Sequence, residues 1–152
     1  MELTIAFLLI VAYFIFRKKD QQKKQNKNEP QPKKEAVEIP INLEGILDGY
    51  TVYQDQSFFI AGVTFRRDSC EWWVNGNNLS LSFRREPNNK YDDNAIAIYG
   101  KNDQGSKKIG YVEADIADDI VSNDLVKKII PRLLSIRVGE AHFIEYEILI
   151  KG

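Results

Sequence analysis

The sequence predicts a mainly β domain, a small barrel or strongly curved sheet of about six strands with one or two helices. A single transmembrane helix is expected to precede it. Three observations carry this. An uncharged apolar run lies near the start of the chain, and a stretch rich in Lys, Gln, Asn and Pro follows it. From about Asn42 onward apolar residues recur with period two, in short segments separated by Gly, Asn, Asp and Pro.

Leu3 to Phe16 reads LTIAFLLIVAYFIF, with Thr4 its one plainly polar residue and no charge. A helix over Met1–Phe16 rises about 24 Å. Against a bilayer core of about 30 Å this is a short span that works if Arg17 and Lys18 snorkel. A secretory signal peptide would carry positive charge before the run and small residues after it. Here Glu2 precedes it and Arg17-Lys18-Lys19 follow, which inverts that pattern. The positive-inside rule then leaves the remainder facing the cytoplasm, so a single-pass cell-membrane location is expected.

Residues 17–40 show no apolar periodicity and read as a basic, disordered linker. Their root-mean-square reach is about 25–30 Å. Residues 41–152 remain for the folded domain.

Within that domain, Ser57–Phe65 (SFFIAGVTF) is apolar on both faces, as a strand covered on two sides would be. Asn78–Arg84 alternates, placing Leu79, Leu81 and Phe83 on one face. Ala95–Tyr99 and Lys108–Val112 flank KNDQGSK, whose Asn, Asp and Gly mark a hairpin. Ala114 to about Ile130 is the helical stretch, with Ile116 and Ile120 on its apolar side and Pro131 as its stop. Leu133–Val138 and His142–Ile150 form the last strand pair, turning at Gly139. Trp72 and Trp73 fall in a connection between strands, at least one of them a core residue. His142 reads as a surface or edge residue, and Asp118 and Asp119 as the solvated side of the helix.

The net charge of −1 hides a split. Residues 17–34 hold eight Lys/Arg against Asp20 and Glu29, a net of +6, whereas residues 35–152 hold thirteen against nineteen acidic residues, a net of −6. An acidic domain does not bind nucleic acid merely by being a basic surface. One cysteine, Cys70, excludes a disulfide framework and a Cys-rich zinc site. One histidine, His142, leaves little for a triad, and no serine sits in a Gly-x-Ser-x-Gly turn. The sequence therefore predicts neither an enzyme, nor a metal site, nor a cofactor.

The densest polar stretch is Arg84–Ile98, RREPNNKYDDNAIAI. Pro87-Asn88-Asn89 break the strand, and Asp92, Asp93 and Asn94 bring short side chains that bond nearby backbone. Its acidic spacing follows no EF-hand loop. Spacing alone reads it as a self-satisfied loop.

The run from Phe59 to Ile120 resembles a HIRAN domain, a module of some SWI2/SNF2-type helicases that also occurs free-standing in bacteria. The residues that carry the resemblance are FIAGVTF (Phe59–Phe65), LSFRREPNNKYDDNAIAI (Leu81–Ile98) and KIGYVEADIADDI (Lys108–Ile120). It implies an OB-like small barrel that captures the 3′-hydroxyl end of single-stranded DNA. Carried over by position, Tyr91 and Phe65 would stack on the terminal base, each stack contributing about 1–3 kcal/mol. Asp92 would accept the terminal hydroxyl, and Asn89 would contact the base. Tyr111 falls near the family's phosphate-contacting face, where it serves either the core or the phosphate. The sequence departs from the family at Thr64 and Ala114, where the helicase members carry basic residues. Arg66, Arg67, Arg84 and Arg85 lie near enough to substitute.

These readings combine into a membrane-tethered, non-enzymatic nucleic-acid-binding module with Phe65, Arg66, Arg84, Asn89, Tyr91, Asp92 and Tyr111 at its site. The alternative is a protein-interaction module under the membrane, its groove repurposed for an unknown protein partner.

Overall fold

The computed structural model describes residues 37–39, 48–139 and 141–152. The span expected over Met1–Phe16 and the linker up to residue 36 lie outside the described residues. Among the described residues no helix is long and apolar enough to cross a membrane.

Two antiparallel sheets make up the domain. One runs in the order β1 (Val37–Ile39), β6 (Ile129–Val138), β7 (Phe143–Lys151), β2 (Tyr50–Phe59). The other is β3 (Ser80–Arg85), β4 (Ile96–Asn102), β5 (Gly105–Tyr111). Helix α1 (Arg67–Val74) lies between β2 and β3 in the chain, and α2 (Ala114–Ser122) between β5 and β6. The mainly β class holds, but the barrel is not closed. The sheets meet where Ile60 N–H donates to Ile144 O at 3.0 Å and Ala61 exchanges two 2.9 Å backbone bonds with Tyr111. Immediately afterwards Gly62, at φ 75°, turns the chain into a 3₁₀ turn over Val63–Arg66. The seam thus stops at one bridge. Gly110 lets it form at all: a Cβ there would stand 2.3 Å from Ile60 Cγ2 and 2.4 Å from Ala61 O.

The strand expected over Ser57–Phe65 is displaced toward the N-terminus, ending at Phe59. It carries a bulge: Val52 pairs with Leu149 and Ser57 with Glu147, so four residues stand opposite one. Gln54 and Asp55, at φ 54° and 51°, make the turn within it. Val37–Ile39, expected in the linker, instead pairs with Val138–Ile136. A partner strand supplies what three residues of their own sequence do not signal.

The tryptophans lie in the connection between β2 and β3, as expected, and that connection is helix α1. Cys70, Trp73 and Val74 fall at i, i+3 and i+4, the spacing of one helix face. Trp73 is fully buried and its indole N–H donates to Lys101 O at 3.0 Å. Trp72 is half-buried beneath the Lys107 ammonium, 4.3 Å from its ring centroid. Burial pushes the Cys70 thiol up to about 11.

Helix α2 is shorter than the apolar pattern suggested. Leu125 N–H donates to Ile120 O at 2.9 Å and Asp124 N–H to Val121 O at 3.1 Å, with Asp124 in the left-handed region at φ 53°. This is a Schellman close with Asp where Gly is usual. Pro131, expected as the helix stop, lies inside β6 opposite Ile148. Among the described residues β1 pairs only with Ile136–Val138, which leaves the Pro131 end of β6 with a strand neighbour on one side, where a proline is tolerated.

The strongest part of the sequence pattern survives. Leu79, Leu81 and Phe83 pack on the core, and β4 and β5 form the expected hairpin. Ile144, Tyr146 and Ile148 of β7 are buried together with Ile96, Ile98, Ile109, Ile120 and Ile136. Each such side chain contributes about 1.5–3 kcal/mol. His142 is buried, at 9 % exposure, and not a surface residue. Its Nε2 lies 3.6 Å from Glu71 of α1, which also bonds Arg67.

Candidate functional site

A cleft of about 470 Å³ opens where the two sheets meet. Four pieces of chain wall it: the turn after Gly62, the loop from Glu86 to Ala95, the end of β5, and the start of α2.

The loop is built by its own backbone. Glu86 N–H donates to Ala95 O at 2.9 Å, Asn89 N–H to Glu86 O at 3.0 Å, and Ala95 N–H to Asp92 O at 3.1 Å. Asp92 Oδ1 accepts Asn94 N–H at 2.7 Å and Asn89 Oδ1 accepts Tyr91 N–H at 3.0 Å, the short-side-chain closures that Asn and Asp favour. The self-satisfied loop read from spacing is therefore present, and it presents side chains to the cleft. Tyr91 stands 87 % exposed with Lys90 Nζ 5.3 Å from its ring centroid. The second oxygen of half-buried Asp92 has no hydrogen-bond partner among the described residues.

A four-residue network forms one wall. Lys108 Nζ lies 2.7 Å from Glu86 Oε1 and donates to the Tyr111 hydroxyl at 3.0 Å. That hydroxyl donates to Glu86 Oε2 at 3.0 Å, and Asn89 Nδ2 reaches the same oxygen at 3.1 Å. The Lys108 ammonium holds the Glu86 carboxyl below its ordinary range, with Asn89 and Tyr111 adding to the effect. Glu86 in turn raises Lys108. The Arg66 guanidinium sits 4.8 Å from the Tyr111 ring centroid, so two cations rest on that ring. Tyr111 serves the cleft wall as a holder of charge.

Of the seven residues named from the sequence, Arg66, Asn89, Tyr91, Asp92 and Tyr111 line the cleft. Phe65 does not line it; the residue is 90 % exposed, one position before Arg66. Arg84 is not there either: it lies over the Tyr99 ring at 4.6 Å, on the neighbouring strand. Of the other substitutes considered, Arg67 bonds Glu71 and Gly139 O, and Arg85 bonds the backbone of Asp93 and Ala95. Ala114 lines the cleft without charge, and exposed Thr64 does not line it. Asp118 and Asp119 are exposed but engaged, Asp118 accepting from Asn94 Nδ2 at 2.9 Å and Asp119 from the Tyr53 hydroxyl.

Glu86, Lys90 and Lys108 were missed. Lys108 is hidden by a bulge: Ile98 pairs with Gly110 but Tyr99 with Lys108, leaving Ile109 as an extra residue on β5. Simple alternation puts Lys108 and Tyr111 on opposite faces, and the extra residue restores them to one. A Lys three positions before a Tyr, next to an Ile-Gly pair, was the available signal.

No curated protein and no solved structure matches the chain. Residues 53–125, just under half of the chain, match the family model of the HIRAN domain. That stretch holds β3, β4, β5, both helices and every side chain that lines the cleft, so the similarity to the HIRAN domain includes the cleft.

Proposed function

We propose that the folded part is a non-enzymatic, HIRAN-type module that binds nucleic acid, taking the 3′-hydroxyl end of a single-stranded DNA in the cleft. Residues 1–16 then tether it to the cell membrane with the module on the cytoplasmic side. The observation that carries this reading is the Tyr91–Asp92 pair. An almost fully exposed ring stands beside a half-buried carboxylate with one oxygen open, in a cleft bordered by Arg66 and Lys108.

In such a complex Tyr91 stacks on the terminal base, at about 1–3 kcal/mol. Phe65, next to Arg66 in the chain, offers a second exposed ring. The open Asp92 oxygen accepts the terminal hydroxyl and repels a phosphate in its place. Arg66 supplies positive charge where Thr64 and Ala114 supply none. With residues 35–152 at a net charge of −6, long-range attraction is weak and short-range contacts decide affinity.

The test is fluorescence anisotropy of the full chain with single-stranded oligonucleotides ending in a 3′-hydroxyl or a 3′-phosphate, at about 50 mM salt. The basic arm attracts both probes alike, so the difference reports the cleft. Preference for the hydroxyl that disappears in Asp92→Ala supports the reading. Equal binding, unchanged by Tyr91→Ala, rejects it.

The acidic domain and the exposed Phe59–Phe143 pair, 6.4 Å between ring centroids, favour a second reading, a protein-interaction module. Nuclease-resistant partners in a pull-down, lost on Tyr91 or Trp72 substitution, would select it.

A further inference from the structure

Arg85 ends β3 at the point where the cleft loop begins, and it is half-buried. Its guanidinium reaches across the neck of that loop. One terminal nitrogen donates to the carbonyls of Asp93 and Ala95, and the other donates to Asn94 Oδ1 at 2.9 Å. Asn94 passes the restraint on, its Nδ2 donating to Asp118 Oδ1 of α2 at 2.9 Å. Of the residues joined by these contacts only Ala95 lines the cleft; Arg85, Asp93, Asn94 and Asp118 do not. Between the bonded carbonyls and Arg85 itself lies the segment that presents Asn89, Tyr91 and Asp92.

The chemistry is specific to a planar fork. Three acceptors from one short stretch of chain converge on one cation, which a single ammonium cannot match in direction. The neighbouring Arg84 makes no such bonds and rests on Tyr99. Two adjacent arginines thus have different work, and the difference follows from strand alternation.

We infer that Arg85 is a positioning residue for the cleft: it fixes the loop that carries Tyr91 and Asp92, and does so by linking that loop to α2 through Asn94 and Asp118. As a statement about ligand binding, this rests on the function proposed above. As a statement about the loop it stands by itself.

The experiment has two arms on the full chain, with Arg85→Met, Arg85→Lys and Arg84→Met as variants. In hydrogen exchange, Arg85→Met speeds the amides of residues 86–95 about tenfold while those of β4 and β7 keep their wild-type rates. Arg85→Lys keeps the charge and stem, and loosens the same segment without unfolding the domain. Arg84→Met leaves it unchanged. Loosening spread over the whole domain, or none in 86–95 for either Arg85 variant, overturns the inference.

In the binding arm, Arg85→Met weakens capture of a 3′-hydroxyl oligonucleotide about tenfold, yet the slope of log affinity against log salt stays at the wild-type value. A slope smaller by about one would mean that Arg85 contacts a phosphate, and would overturn the positioning role. If the wild-type chain binds no oligonucleotide, the proposed function fails, and the exchange arm still decides whether Arg85 holds the loop.

Discussion

The Lys108 ammonium and the Glu86 carboxylate lie 2.7 Å apart on the wall of the cleft, and the Tyr111 hydroxyl bonds both. The pair is partly shielded, with side chains 30 % and 22 % exposed. Its pH behaviour follows from the two opposed shifts. Glu86 is lowered, so its contribution is complete above the ordinary 4.5 and is lost as pH falls through the folded value below it. Lys108 is raised, so its contribution is complete below the ordinary 10.5 and is lost as pH climbs through the folded value above it. Glu86→Gln should therefore cost about 1 kcal/mol across the neutral range, after allowance for solvent screening. Denaturant unfolding at a series of pH values checks this. A cost that persists undiminished well into the acid range would contradict it.

Gly110 lies at the seam of the two sheets. A methyl group there meets Ile60 and the Ala61 carbonyl well inside contact distance. Gly110→Ala should break the Ala61–Tyr111 bridge and cost about 2–4 kcal/mol, a large effect for a single added carbon. Because Tyr111 holds two cations, oligonucleotide affinity should fall with it. Chemical denaturation and anisotropy on the same preparation measure the two together.

Asp124 occupies the left-handed position that closes α2. Asp124→Gly removes the steric conflict between Cβ and backbone there, at a smaller entropic cost in the unfolded chain. A net gain of about 0.5 kcal/mol is expected. A lower denaturation midpoint would show that the Asp side chain makes up for its strained backbone.

Tyr53 donates to Asp119 of α2 and accepts from Gln54 Nε2 at 2.8 Å. Burial, reinforced by that aspartate, pushes its hydroxyl up to about 12. Tyr53→Phe should cost about 1–2 kcal/mol. The stability that this shift represents is complete below pH 10 and disappears as pH rises through 12. Alkaline titration of the phenolate absorbance, compared with the variant, reads it directly.

Cys70 is fully buried with its thiol raised to about 11. At pH 8 a thiol-specific reagent should label it at least about a hundredfold more slowly than an unfolded control. Rapid labelling of the native chain would place α1 among the easily opened parts of the fold.

How much was legible depended on whether a residue's neighbours along the chain decided its place. The alternation of Leu79, Leu81 and Phe83, and of Ile144, Tyr146 and Ile148, is a local pattern, and these strands lie where it puts them. The loop carrying Asn89, Tyr91 and Asp92 was legible because Pro breaks the strand and Asn and Asp close the loop by their own short bonds. The misplaced features depend on partners far away in sequence. Val37–Ile39 becomes a strand because β6 pairs with it. Lys108 joins Tyr111 because Ile109 is squeezed out of register. Phe65 leaves the expected strand because Gly62 turns the chain after one bridge, and His142 is covered by α1. The end of α2 was overrun because Asp124, an ordinary polar residue by pattern, takes a conformation usually left to glycine.

The bulge in β2 has a bearing on how copies of this chain meet. β2 is the outer strand of its sheet, and such a strand offers a row of amides and carbonyls to any passing extended segment. The reversal at Gln54 and Asp55 splits that row in two and tips a polar turn into the path of an incoming strand. Straightening it, by deleting residues 54–56, would leave a smooth ribbon suited to end-to-end growth. The deletion is therefore expected to promote self-association, which size-exclusion chromatography of the two chains would read, in a segment whose pairing with β7 would otherwise run unbroken.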